Sequence, residues 1–148
     1  MGFKLTVNWQ ADHFEHTAPE FNRDHQIEFG SGQVIQASSA PEYKGNDEKI
    51  NPEESLLAAL SSCHMLTFLA IAHLKRLTVV SYQDNARAEL GKNDSGKLSV
   101  TKMLLNPQVT FAEGIEVSNE VLQKIHDKAH ANCFIANSIN SEVSINIA

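Results

Sequence analysis

NPEESLLAALSSCHMLTFLAIAHLKR, residues 51–76, is the stretch whose reading decides the fold. Asn51 is suited to an N-cap, Pro52 to the first helical position, and Glu53 and Glu54 place negative charge in a first turn. From Leu56 to Leu74 apolar residues fall on nearly every face, and a helix that is apolar all round is a buried one. At ~1.5 Å per residue such a helix is on the order of 35 Å long, enough to cross a small domain. Ser61, Ser62, His64, Thr67 and His73 interrupt the apolar run, so a core helix is expected rather than a membrane span. Near its middle lies Cys63, one of two cysteines in the chain.

Outward from that helix the pattern is mostly of strands. Phe3, Leu5, Val7 and Trp9 alternate with polar residues as in a half-buried strand. Asp12 to Asp24, with His13, His16 and Pro19, reads as a loop or broken strand. Gln26–Phe29 and Gln33–Ala37 flank Gly30-Ser31-Gly32 as a hairpin, and Ser39 to Ile50 reads as a long polar loop. Beyond Arg76, the residues Val80, Tyr82, Ala86, Ala88 and Leu90 mark one strand. A turn at Gly91–Gly96 leads to its antiparallel partner at Leu98, Val100 and Leu104. Pro107 marks a bulge or edge before Val109 and Phe111. Ser118 is a fair N-cap for a second helix carrying Val121, Leu122, Ile125 and Ala129, with Cys133 near its end. Val143, Ile145 and Ile147 close the chain as a strand. The order β-β-β-α-β-β-α-β lacks a regular βαβ alternation, so the fold class is α+β, with antiparallel sheets around a central helix. One small sheet cannot cover a long apolar helix, and a homodimer sharing its core is expected.

Composition bounds the function. A chain of 148 residues, 42% hydrophobic and 20% charged, fits one globular domain spanning 1–148. A net charge of −6 without a basic face argues against nucleic acid. The chain does not open on a charged-then-apolar leader, so a cytoplasmic protein off the membrane is expected. There, two cysteines serve as thiols, metal ligands or redox partners more readily than as a permanent staple.

Cysteine in an apolar helix is most often a small hydrophobe, but Ser61-Ser62-Cys63-His64 is a polar notch in a greasy helix. A reactive thiol there needs a cation or hydrogen-bond donors to hold its thiolate. His64 faces elsewhere on the helix, so a cation would come from another segment, and Arg23 is the candidate. A competing signal lies in the second helix, where His126, His130 and Cys133 share one face and could join Cys63 around a metal. A third reading keeps the fold as a binding or structural protein with inert thiols. The absence of C-x-x-C and of a βαβ frame disfavours a thioredoxin-like oxidoreductase.

Asn51-Pro52-Glu53-Glu54-Ser55-Leu56, then Ala58-Ala59 and Cys63, resembles the first cysteine segment of the OsmC/Ohr family, the osmotically induced and organic hydroperoxide resistance proteins. Ala129-His130-Ala131-Asn132-Cys133 followed by Asn137 is similar to its second cysteine motif, and Arg23-Asp24 to an arginine-aspartate pair of the Ohr branch. The resemblance implies an OsmC-like fold, an intertwined homodimer with sites at its interface, and thiol-dependent reduction of organic hydroperoxides. It implies Cys63 as the peroxidatic thiol and Cys133 as the resolving thiol that condenses with its sulfenic acid. Arg23 would stabilise the thiolate, Glu53 would hold Arg23, and dihydrolipoyl groups would supply electrons, with no bound cofactor or metal. Glu53 and Cys63 are ten residues apart, about 15 Å along one helix, so the arginine bridges the gap or the glutamate serves a partner chain. Glu53 reads equally as a first-turn carboxylate suited to the helix dipole. His64 and His130 are assigned packing or supporting roles. Two departures stand out: Phe134 follows Cys133 where many family members have proline, and His64 follows Cys63 where the hydroperoxide branch often has an aromatic. Phe111 and Phe134 are expected to thicken an apolar pocket wall and favour bulky hydroperoxides.

Overall fold

The computed structural model describes residues 1–12 and 20–147, and its backbone divides into two compact units, Met1–Ser55 and Leu56–Ala148. The irregular stretch expected at Asp12–Asp24 falls largely on 13–19, outside the described residues.

In the first unit, strands β1 (Leu5–Asn8), β2 (His25–Phe29) and β3 (Val34–Ala37) form an antiparallel sheet in that order. Leu5 pairs with Phe29, Val7 with Ile27, and Ile27 with Ile35, so one face carries aliphatic and aromatic side chains. The hairpin turn falls where the glycines predict it, with Gly32 at φ +88°. The polar loop that follows holds a single 3-10 turn, Pro41–Tyr43.

Helix α1 runs Pro52–Leu74, close to the predicted bounds. Asn51 caps it through its side chain, accepting from the Glu54 N–H at 2.8 Å, while Glu54 accepts the Asn51 N–H at 3.3 Å. That reciprocal pair is a capping box. At the other end Arg76 adopts φ +58°, and the Leu77 N–H reaches the Ala72 carbonyl at 2.9 Å in a Schellman stop. The expectation of burial on all sides is not met within one chain. Only Leu60, His64, Phe68, Ile71 and Ala72 are buried, a single helical stripe, while Leu66 is 60% exposed. By length and composition α1 could cross a membrane, a test that the core helix of a soluble protein also passes.

The second unit differs from the predicted order in two ways. The strand drawn from Val80 to Leu90 is two strands, β4 (Val79–Asp84) and β5 (Arg87–Lys92), which join different sheets. β4 pairs with β7 (Pro107–Phe111), and β5 pairs with β6 (Leu98–Leu105). The alternation of Val80, Tyr82, Ala86, Ala88 and Leu90 runs across the break at Asn85 and hides it, although Val80 and Leu90 are exposed. Pro107 is the first residue of β7, where a missing N–H costs nothing. The last strand, β8 (Glu142–Ile145), lies parallel to β6, so the sheets are not wholly antiparallel.

Helix α2 (Asn119–Asn132) starts as predicted, with Ser118 Oγ accepting the Val121 N–H at 3.2 Å. Its buried apolar residues, Ile125 and Ala129, meet Phe68, Ile71 and Ala72 of α1, with Val79, Tyr82, Val109 and Phe111 packed around them. A second cluster joins Leu60 to Met103, Leu105 and Cys133, with Cys63, Ile135, Val143 and Ile145 at its border. Burying Phe68 completely contributes about 2–3 kcal/mol. These two clusters fix α1 against α2 and the strands, and the cysteines lie in the second of them.

Candidate functional site

Two free thiols meet inside the Leu56–Ala148 unit. Cys63 is half-buried on α1, and Cys133 is fully buried where it ends α2 with extended backbone, φ −73° and ψ 116°. The chain leaves α2 there and enters a 3-10 turn at Ala136–Ser138. This turn lays Ile135 and Ala136 against the α1 segment that carries Cys63. The residues that bring the cysteines together are apolar ones on either side of them.

Electrostatics separates the two sulfurs. Burial pushes the Cys63 thiol up, but hydrogen bonds overcome it: the Ile135 N–H, the Cys133 thiol, the Phe134 N–H and the Thr67 hydroxyl together hold it below the ordinary cysteine value. Thr67 lies one turn along α1, with its hydroxyl 2.8 Å from the Cys63 carbonyl. Cys133 moves the other way, raised first by burial and then by the Cys63 sulfur beside it, although the Ala136 N–H donates to its Sγ at 3.4 Å. Cys63 is therefore the more acidic of the two thiols, and the hydrogen bond between the sulfurs favours its thiolate over that of Cys133. A thiolate attacks electrophiles; a protonated thiol next to it is placed to react with whatever the first becomes.

Below this pair lies a polar seam. His64 Nε2 and His126 Nδ1 are 3.0 Å apart, and Phe68 packs its ring 4.4 Å from that of His126. Asp84 accepts from Ser61 Oγ at 2.5 Å and from the Asn106 N–H at 2.6 Å, tying α1 to the β6–β7 turn.

The model of the OsmC-like protein family matches residues 45–148, which hold α1, both cysteines and everything after them. The chain belongs to the OsmC-like family. Over its full length it is similar to an OsmC-like protein of unknown function from Vibrio cholerae, with 43% identity, a TM-score of 0.95 and 99% of that chain covered. It is 25% identical over 147 residues, 98% of this chain and 91% of the relative, to the uncharacterized protein YmaD of Bacillus subtilis. An organic hydroperoxide resistance protein from Legionella pneumophila shares the fold at 15% identity and a TM-score of 0.75, covering 98% of this chain and 95% of that one.

Of the four residues singled out in this OsmC-like chain, Cys63 and Cys133 come together. Arg23 and Glu53 both lie in the Met1–Ser55 unit, and the expected pair between them is not formed. Arg23 instead bonds Glu20 at 3.0 Å and the Phe21 carbonyl at 2.8 Å, with its guanidinium 3.9 Å above the Phe21 ring. Glu20 lies three residues from Arg23 and is the nearer carboxylate along the chain. Glu53 keeps a buried Oε2 without a hydrogen-bond partner among the described residues. Arg23 lines an apolar cleft of about 420 Å³ with Val7, Trp9, Phe21, His25 and Pro52.

His126 is spent on His64, Cys133 on Cys63, and no group of three His, Cys, Asp or Glu side chains among the described residues is arranged to hold an ion. Among the described residues, Phe111 and Phe134 do not form the expected aromatic wall. Phe111 packs into the Phe68 cluster, and Phe134 is 82% exposed. His64 has the packing role expected of it, being wholly buried. Thr67 and the main-chain N–H groups of residues 134–136 escaped sequence reading. Only the i,i+4 spacing of Cys63 and Thr67 could have flagged the first, and a peptide N–H leaves no mark in a sequence.

Proposed function

We propose that this chain is a thiol-dependent peroxidase that reduces organic hydroperoxides to alcohols. The observation that carries the reading is two adjacent thiols of opposite tendency, Cys63 held below and Cys133 above the ordinary cysteine value. The Cys63 thiolate attacks the distal oxygen of ROOH, the O–O bond breaks, and the alkoxide leaves and takes up a proton. Cys63 becomes a sulfenic acid. The Cys133 sulfur then displaces its oxygen as water, giving a Cys63–Cys133 disulfide. A dithiol, in this reading a dihydrolipoyl group, returns both cysteines to thiols by exchange and is itself oxidised to a disulfide.

Arg23 and Glu53 enter this proposal as accessory groups. The buried, unpartnered Glu53 oxygen supports a cation arriving there, and Arg23 is the cation the proposal assigns. The whole chain, residues 1–148, acts as one cytoplasmic domain and as a homodimer. The part-covered α1 and the exposed apolar side chains Leu5, Val7, Trp9 and Val34 support a second copy. A stable monomer in sedimentation at micromolar concentration would remove the dimer.

The deciding experiment is a thiol count before and after one equivalent of cumene hydroperoxide, in the wild type and in Cys63→Ser. Loss of both thiols in the wild type, with Cys133 surviving in the variant, is the expected result. Survival of both wild-type thiols would leave a binding or structural protein on the same fold.

A further inference from the structure

We propose that His64 and His126 are positioning residues for disulfide closure: the hydrogen bond between their rings sets the register of α2 against α1 and so keeps Cys133 beside Cys63. The inference deepens the peroxidase reading and rests on it for the order of the two chemical steps.

The bond joins the two helices that carry the thiols. His64 follows Cys63 on α1, and His126 precedes Cys133 by about two turns of α2, on the same side of it. On α1, His64 stands one turn after Leu60 and one turn before Phe68, and so between the two apolar clusters that those side chains anchor. Both rings are fully buried, with His64 Nε2 3.0 Å from His126 Nδ1, and the Phe68 ring packs 4.4 Å from that of His126. Apolar contacts are non-directional and let one helix slide or roll on another, whereas a hydrogen bond of defined length and angle does not. The pair also carries a cost. His64 Nδ1 and His126 Nε2 are buried without a partner among the described residues, so side chains kept for cohesion alone would be better apolar. What the rings supply beyond cohesion is register, and register is what closure needs. The Cys133 sulfur must come to about 2.05 Å from that of Cys63 as it displaces the sulfenic oxygen as water.

Single-turnover mixing of the reduced protein with one equivalent of cumene hydroperoxide, followed by quenching and intact mass, separates the steps. Cys63 first gains an oxygen, and the two cysteines then close with loss of water. Two double variants isolate the bond. His64→Leu with His126→Leu keeps an apolar contact and removes the bond, while His64→Gln with His126→Asn keeps amide groups near the positions of Nε2 and Nδ1. We expect oxygen gain at the wild-type rate in both, closure slowed about tenfold or more in the leucine pair, and closure recovered in the amide pair. Wild-type closure in the leucine pair overturns the inference, and so does a leucine pair slowed equally in both steps. An amide pair that closes no faster than the leucine pair overturns it too, because the loss then follows packing and not the bond. Should the leucine pair not fold, histidine nitrogen NMR on the wild type decides: the ring-to-ring bond should persist in the dithiol and disulfide forms, and its loss on closure overturns the inference. Diamide, which takes both thiols to the disulfide and is itself reduced to the hydrazine, separates the two claims. A wild type that gains no oxygen from the hydroperoxide sinks the peroxidase, while the same order of closure rates with diamide upholds the positioning.

Discussion

His64 Nε2 and His126 Nδ1 lie 3.0 Å apart with their ring planes within 1° of each other, and both rings are buried. One imidazole donates and the other accepts, so the bond exists only while at least one ring stays neutral. Burial holds His64 down at about 4, helped by His126 and His130 and opposed by Asp84. Burial likewise holds His126 at about 4, against Asp127 and Asp84. Tyr82, on the β4 side of Phe68, stays a neutral phenol.

This pair predicts an acid-sensitive fold. The folded rings bind protons more weakly than unfolded histidine near 6.5, so the unfolded chain takes up more protons and stability falls as pH drops from about 6.5 to about 4. The loss should reach several kcal/mol by the lower end, read as a declining urea midpoint. A double His64→Leu, His126→Leu variant should flatten that decline, because replacing both partners leaves no orphaned polar group. Either single variant should cost more at neutral pH than the double. A wild-type midpoint constant between pH 7 and 4.5 would refute the assignment.

The two cysteines should fail differently. Cys63→Ser should lose turnover entirely, since the attacking sulfur is gone. Cys133→Ser should consume one equivalent of hydroperoxide per site and then stall or over-oxidise, observable by intact mass as added oxygen. Full-rate turnover by Cys63→Ser would end the account.

Asp84 should be worth more to stability than its half-buried position suggests. Its two oxygens serve Ser61 and the Asn106 N–H separately, so Asp84→Ala strands a donor on each side of the α1 contact. A loss of about 2–3 kcal/mol is expected, and Asp84→Asn, which keeps one acceptor, should lose about half as much. Equal losses in chemical denaturation would show that the two bonds do not act as read.

Arg76 should be improvable. It holds a left-handed conformation at the position that stops α1, where glycine has no side-chain penalty. Arg76→Gly should raise stability by about 0.5 kcal/mol or more, visible as a higher thermal midpoint. A fall instead would mean that the arginine side chain contributes contacts outweighing the backbone strain.

The long helix, its Asn51 cap, the first hairpin, the second helix and its Ser118 cap were legible in the chain itself. Each follows from spacing or from a residue whose side chain bonds its own local backbone, and such interactions act within a few positions. The two cysteines stood out because a polar notch at Ser61–His64 and a motif around Cys133 mark them. The break of one predicted strand into β4 and β5, and the parallel β6–β8 pairing, depend on which distant strand each edge meets, and periodicity is blind to that. Tertiary structure alone chose Glu20 over Glu53 for Arg23, exposed Phe134, and set His64 against His126 across 62 positions. It also decided which thiol is the more acidic. Both are cysteines in apolar surroundings, and what separates them is the direction of a few peptide N–H groups, fixed only when the turn after α2 packs onto α1.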